Sequence, residues 1–227
     1  MHRIDVPCSG LVIAAKTLEA YEGLRVQLAS GGLVRDYVGL CHGWASPARR
    51  EFCARVDRGK EARDAGEAAP SGGVCDQGRP ALTHAKVLAH ARRAGEALSL
   101  AALRLDTGRR HQIRIHAAHA GHALVCDGRY SAAGACAADR GWCPRSFLHR
   151  YHLAFRQGGT GPAASAKAPL PHSLAEALLQ LEPRKGAPGS GLRAWLGPEG
   201  LQAWDRCAAV AVLRRRRTVR GRRRQAA

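Results

Sequence analysis

Two strand-like runs joined by a short basic turn constrain the fold of this chain more than any other feature. Residues 83–91 and 97–105 are β-favouring and largely apolar, and Arg92-Arg93-Ala94-Gly95-Glu96 between them reads as a hairpin turn. Strands joined this closely pair antiparallel. Asp106-Thr107-Gly108 then makes a loop, and residues 109–120 read as a short helix ended by Gly121. Upstream, residues 9–15 (Ser-Gly-Leu-Val-Ile-Ala-Ala) fit a short buried strand, and Thr17 is placed to cap a helix whose apolar face is Leu18, Tyr21, Leu24 and Leu28. Gly31-Gly32 stops that helix, and residues 34–43 fit a second strand containing Tyr37. Residues 147–155 fit a further strand, 157–171 a loop, and Ser173 with Glu176 has capping-box spacing for a helix running to about Leu181.

The chain has 227 residues and is 45% hydrophobic, enough for one well-buried core with appendages. The expected organisation is a catalytic domain over 1–183 with a surface insertion at 54–80, a linker and C-terminal helix over 184–213, and an Arg-rich disordered tail over 214–227. Lys and Arg outnumber Asp and Glu 36 to 18, and eight of the arginines fall between 214 and 224. Without them the formal charge drops from +18 to about +10, still a surface that favours polyanions. The tail itself is open between a nuclear signal, an RNA-gripping arm and a solvated end.

Eight cysteines follow no compact disulfide framework and form no C-x2-C pair, which reads as reduced thiols in an intracellular compartment without a cysteine zinc site. No apolar run approaches the length of a membrane span, so no membrane partner is expected. Met1-His2-Arg3 reads as neither a secretory leader nor a transit peptide. His111, His116, His119 and His122 cluster, but without a His-Glu-x-x-His pattern or a thiolate at ligand spacing, so no metal site is expected.

Taken alone, Asp5 ahead of Val6-Pro7 is a turn residue, and Tyr37 on a strand is core. Their company changes the reading. His2-Arg3-Ile4-Asp5-Val6-Pro7-Cys8-Ser9-Gly10-Leu11 closely resembles the His-Arg-Leu-Asp-x-x-Thr-Ser-Gly-Leu motif of the RluA-type pseudouridine synthases. Tyr37 matches a tyrosine that the family carries on a following strand. Thr107-Gly108-Arg109-Arg110-His111-Gln112-Ile113-Arg114-Ile115-His116, continued through Cys126-Asp127-Gly128-Arg129-Tyr130, is similar to its Thr-Gly-Arg-x-His-Gln-Ile-Arg-x-His segment and Gly-Asp-x-x-Tyr ending. The likeness runs over roughly residues 2–155, in the family's order. It departs at Cys8, where threonine is usual, at Arg35-Asp36, where a lysine is common, and at Arg110. Family members also carry strands ahead of the first motif, so an N-terminally truncated catalytic domain is expected.

The resemblance implies an α+β fold, a mixed and largely antiparallel sheet with flanking helices. It also implies isomerisation of uridine to pseudouridine in structured RNA (rRNA or tRNA), without cofactor or metal, by a monomer. The carboxylate would be Asp5, which must stay ionised in an enclosed pocket; an arginine beside it offsets the cost of desolvation, and Arg114 is the candidate. Asp5 is open between nucleophile and base at C1′. Tyr37 would stack on a base extruded from its helix and Arg3 would fill the vacated space. His2, Arg3, Arg109, His111 and Gln112 are placed on the substrate-binding side, His111 and Gln112 also hydrogen-bonding within the fold. Two other functions compete: a truncated, inactive RNA-binding relative, and a carboxylate-dependent nucleoside hydrolase, the latter weakened by the lack of a second well-placed acid.

Overall fold

The structure, a computed structural model, describes residues 3–57, 72–184, 190–197 and 204. Its frame is one eight-stranded sheet. In chain order the elements are β1 (Ser9–Gly10), α1 (Leu18–Ser30), β2 (Val34–His42), β3 (Glu51–Val56), β4 (Arg79–Arg93), β5 (Glu96–Leu105), α2 (Gln112–His119), α3 (Ala133–Arg140), β6 (Leu148–Arg156), β7 (Ala163–Lys167), α4 (His172–Leu179), β8 (Glu182–Pro183) and α5 (Ser190–Arg193), the last followed by a 3-10 turn at Ala194–Leu196. The sheet order is β1-β6-β2-β5-β4-β3, with β7 on β6 and β8 on β4. Among the described residues only β1 on β6 pairs parallel, so the sheet is mixed and mainly antiparallel, as the family resemblance implies.

The hairpin that dominates the sequence is the longest pairing in the sheet. Residues 83 to 93 of β4 pair with 105 to 96 of β5, and the turn is made by Ala94 and Gly95, both at positive φ (46° and 85°), the geometry that matches strand twist. Alternation along β2 gives the sheet two cores. Val38 and Leu40 face one layer with Leu98, Leu100, Tyr151, Phe147, Trp195 and the apolar side of α4. Tyr37 and Cys41 face the other with Leu103, Leu124, Leu148 and α2 residues Ile113 and Ala117. Gly39 points to that second side; a methyl group there would lie 3.0 Å from Leu124 and 3.3 Å from Leu103.

Several local expectations need correction. The strand expected over 9–15 is only two residues long, because the chain turns away after Leu11 N–H donates to the Arg150 carbonyl (3.0 Å), leaving Val12 exposed. Helix α1 is capped by Thr17 and closed by left-handed Gly31 as predicted, but it buries Leu24 and Gln27 while Leu18 and Tyr21 are exposed. It docks through a polar latch: the Gln27 amide donates to the Arg156 carbonyl (2.8 Å) and accepts from the Arg156 N–H (2.7 Å). The expected loop 157–171 contains β7, which extends the sheet beside β6. Ser173 is not a cap; α4 starts two residues earlier than that cap would place it, after Pro171, whose carbonyl takes the Leu174 and Ala175 N–H groups. The expected insertion 54–80 begins inside β3 and ends inside β4, with Val56 bridging Val74; residues 58–71 lie outside the described residues. Helix α3 is not among the elements expected from the sequence. The expected C-terminal helix is described only at 190–197 and at Trp204, and the arginine tail and His2 also lie outside the described residues.

Candidate active site

One cleft gathers the residues that the motifs singled out. It encloses about 500 Å3 and is lined by the Arg3–Asp5 turn, Tyr37 and Arg35 of β2, the 107–113 segment leading into α2, and Leu148 and Arg150 of β6. Two backbone devices bring these segments together. The first is Gly10 at φ 115°: a methyl group there would sit 2.2 Å from the Arg150 carbonyl oxygen, so only glycine lets the Asp5 segment lie down on β6. The second is a bulge. Asp36 opposes His152, yet Tyr37 opposes Arg150, leaving Tyr151 as the extra residue on β6. Without it Tyr37 would face Tyr151; with it Arg150 comes up beside Tyr37 on the cleft side.

Asp5 sits in a tight turn closed by its carbonyl and the Cys8 N–H (2.9 Å). One of its carboxylate oxygens is 3.5 Å from Arg114 Nη1 and the other 3.9 Å from His111 Nε2. Arg114 is only 4% exposed and is gripped from the other side by Asp127, which accepts from Nε at 2.8 Å and from Nη2 at 2.6 Å. Burial disfavours the Arg114 cation, but the Asp127 hydrogen bonds and charge, with Asp5 adding to them, hold its pKa above the ordinary arginine value. Asp127 is fully buried and also accepts from the Arg129 and Tyr130 N–H groups (3.1 and 3.3 Å). The guanidinium is therefore fixed before any substrate arrives. Cys8 beside it is inert: burial, reinforced by the Asp5 charge, pushes its thiol up to about 12.

Tyr37 is buried, and its hydroxyl oxygen accepts from Arg150 Nε (2.8 Å) and, more closely, from Nη2. Burial raises its pKa against the opposing charge and hydrogen bonds of Arg150, so the phenol keeps its proton. Arg150 also donates to the carbonyls of Leu11 (3.1 Å) and Arg3 (3.2 Å), tying the Asp5 segment to the tyrosine. His111 has a left-handed backbone (φ 57°) at the N-terminal end of α2. Its Nδ1 is 2.8 Å from the Tyr130 hydroxyl, and burial, opposed by Asp5, lowers its pKa, so the ring is neutral at pH 7.

Asp5, Arg114, Tyr37, Arg3, Arg109 and His111 are thus brought to one place. Arg3 is exposed at the rim, and Arg109 is anchored there by Nε to the Pro80 carbonyl (3.0 Å). Gln112 differs. Its Oε1 accepts from Thr107 Oγ1 (2.8 Å) and the Arg109 N–H (3.0 Å), and its Nε2 donates to the Leu82 carbonyl (2.9 Å) and Thr83 Oγ1 (3.0 Å). With its amide fully used inside the fold, it shapes the 107–111 loop and has no group left for a substrate. Among the described residues no group of His, Cys, Asp or Glu is arranged to hold a metal. His116 is spent on Thr83 Oγ1 (3.0 Å) and the Ala54 carbonyl (3.3 Å). No helix among the described residues is long and apolar enough to cross a membrane.

Sequence reasoning gave no role to Asp127, Tyr130, Arg150 or Arg35. Asp127 and Tyr130 lie inside the second motif and were legible as polar residues at its end. Nothing local marks Arg150; its role depends on the bulge.

Residues 1–119 match the family described as RNA pseudouridylate synthase. Ribosomal large subunit pseudouridine synthase C of Yersinia pestis is 33% identical over 189 residues, covering 82% of this chain and 56% of the relative. The enzyme of the same name from Escherichia coli is 32% identical over 191 residues (80% and 55%), and an uncharacterised RNA pseudouridine synthase of Bacillus subtilis is 32% identical over 188 residues (80% and 55%). The chain thus spans about half the length of the curated relatives it matches. Among solved structures, human RNA pseudouridylate synthase domain containing 1 superposes with a TM-score of 0.64 at 24% identity, over 81% of this chain and 73% of that one. Domain containing 4 superposes at 0.60 and 16% identity, over 80% and 75%.

Proposed function

Since the chain belongs to the RNA pseudouridylate synthase family, we propose that it isomerises uridine to pseudouridine in structured RNA, with Asp5 as the carboxylate that acts at C1′. Ribosomal RNA is the first substrate to try, because the relatives with assigned names act on the large ribosomal subunit. The observation that carries this reading is Asp5 in the lining of a cleft that also holds Tyr37, paired with buried Arg114 and, behind it, Asp127.

Those three side chains sum to one net negative charge, held by hydrogen bonds that exist before substrate binds. Breaking the bond between N1 and C1′ develops positive charge on the sugar, and a preorganised negative group beside it stabilises that state. The N1–C1′ electron pair leaves with the base as the Asp5 carboxylate either bonds to C1′ or takes the C2′ proton; the base turns, C5 bonds to C1′ while the carboxylate ester breaks or the proton returns to C2′, the C5 proton leaves to solvent and N1 takes one up. The formal reduction at C1′ is matched by the oxidation at C5, so the isomerisation needs no external oxidant or reductant. Arg114 keeps the carboxylate aimed. Tyr37, a neutral phenol pressed against Arg150, offers its ring to an extruded uracil, and the exposed Arg3 is placed to enter the gap left in the RNA helix. Arg109 at the rim supplies charge for phosphates, giving salt-sensitive affinity.

The test is release of tritium from ribosomal RNA transcripts labelled at uridine C5. The chain should release tritium into water with no strand cleavage and no free uracil, and Asp5→Asn should release none. Free uracil would mean a hydrolase. RNA binding without tritium release would mean a noncatalytic relative, and full activity in Asp5→Asn would remove Asp5 from the mechanism.

A further inference from the structure

We propose that Arg35 is a catalytic residue of this site, its guanidinium taking a carbonyl oxygen of uracil and holding the charge of the base as it leaves C1′. This rests on reading the cleft as a uridine isomerase.

Arg35 lines the cleft yet is only 4% exposed. Among the described residues its hydrogen bonds come from Nη2, to the carbonyls of Leu105 (3.2 Å) and Asp106 (3.1 Å). Nε is buried with no partner among the described residues, and no hydrogen bond from Nη1 to them accompanies those two. No described carboxylate forms an ion pair with it; Asp106 is turned to His84 instead (2.9 Å). An arginine taken out of water without an anion is expensive, and one retained inside a cleft is placed to meet a negative group. By contrast, Arg114 holds Asp127 and Asp5, and Arg150 holds the Tyr37 hydroxyl.

Position selects the ligand. Arg35 and Tyr37 are two residues apart on β2, so they share the cleft face and are spaced roughly 6–7 Å along the strand. That span is about the width of a pyrimidine with its exocyclic oxygens, so a uracil lying on Tyr37 brings one oxygen to the guanidinium. Nη1 abuts Gly108, where a methyl group would stand only 2.6 Å from it; the glycine keeps that edge of the guanidinium in place. A backbone phosphate stays with the strand at the rim, beside exposed Arg3 and half-buried Arg109, whereas Arg35 lies at the level of the buried tyrosine. When the N1–C1′ bond breaks, its electron pair departs with the base, and the uracil anion spreads its charge over O2 and O4. The same base then bonds through C5 and gives up the C5 proton, so the charge is transient and Arg35 is needed most while it lasts.

The experiment compares single-turnover rates at saturating enzyme for wild type, Arg35→Met and Arg35→Lys, each as the full chain. The substrates are ribosomal RNA transcripts containing either C5-tritiated uridine or 5-fluorouridine, whose more acidic base forms its anion with less help. Consumption of the latter is followed by mass spectrometry of the digested RNA. Arg35→Met should lose roughly 10²-fold on uridine, keep the wild-type dissociation constant for RNA, and lose much less on 5-fluorouridine. Arg35→Lys, which keeps the charge, should recover most of the rate. A loss confined to the dissociation constant would make Arg35 a phosphate anchor and overturn the proposal. So would equal losses on both substrates, the mark of a purely structural role, or no loss at all. If Arg35→Met does not fold, Gly108→Ala, which displaces Nη1 while keeping the charge, must show the same substrate-dependent loss or the proposal fails. A wild-type chain that releases no tritium refutes the isomerase reading itself, an outcome distinct from active wild type with an indifferent Arg35.

Discussion

Asp127 touches no part of the cleft that a substrate reaches, yet Asp127→Asn should disable the site. In the native arrangement Asp127 holds two edges of the Arg114 guanidinium at 2.8 and 2.6 Å, which leaves Nη1 a looser 3.5 Å from Asp5. The asparagine has the same shape but no charge, and its amide N–H groups meet the N–H groups of the arginine. Breaking a buried pair from one side costs about 3–5 kcal/mol, because the remaining charge is stranded. The stranded cation has one anion left. At 3.5 Å and an effective dielectric near 20 its attraction to Asp5 is roughly 5 kcal/mol, enough to draw the guanidinium into a close pair with the carboxylate. An Asp5 clamped that way is pulled off the line to C1′, and a displacement of about 1 Å costs on the order of 10²-fold in rate. Urea unfolding should report the first effect and single-turnover tritium release the second. Arg114→Met combined with Asp127→Leu separates them: an apolar pair of similar volume should restore most of the stability and none of the activity. Wild-type rate in Asp127→Asn, with less than about 1 kcal/mol of destabilisation, would refute the reasoning.

The remaining predictions concern the scaffold. Burial holds His111, His116 and His149 below the ordinary histidine value, so the unfolded chain binds more protons than the native one as pH falls through about 6.5. Their contribution is complete above that pH and is lost below it; the urea midpoint should fall between about pH 7.5 and 5, and an unchanged midpoint would contradict their burial as neutral rings. Asp36 acts lower on the scale: despite burial, hydrogen bonds from His152 and Arg104 keep its pKa below the usual carboxylate value, so its stabilisation is lost only under about pH 4. Gly10→Ala should cost at least about 3 kcal/mol and abolish tritium release, since the methyl group meets the Arg150 backbone at 2.2 to 2.7 Å and φ is 115°; thermal melting checks it. Alkylation of native protein near pH 8 should label exposed Cys53 and Cys75 quickly and spare Cys8, Cys41 and Cys143, whose thiols burial pushes up to about 12. Rapid loss of all five thiols would mean the core opens far more readily than its packing implies.

The parts of the fold that were legible in the sequence are those whose signal is local. The 83–105 hairpin has alternation, length and a turn that accepts positive φ; α1 has Thr17 at its start and Gly31 at its end. The misread parts depend on what the element meets. The apolar residues Leu18, Tyr21 and Leu28 suggested a greasy face for α1, but the helix touches the sheet through the Gln27 amide and the Arg156 backbone, a contact with no periodicity. Strand β7 is Ala-Ala-Ser-Ala-Lys, too bland to read, and forms because β6 presents a free edge.

The same division runs through the site. Asp5, Tyr37 and Arg114 stand in motifs whose order along the chain can be matched without coordinates, but order says nothing about why 109 residues separate two groups that end 3.5 Å apart. That closeness is produced by Gly10, which lets the Asp5 segment pack on β6, by the extra residue Tyr151, which turns Arg150 toward Tyr37, and by Asp127, which fixes Arg114 from behind. Each is unremarkable in sequence: a glycine in a loop, a tyrosine in a strand, an acid after a helix. Arg35 is the sharpest case. As a residue in a strand it looks like an ordinary surface cation, and only its burial without a counterion turns it into a question about the substrate.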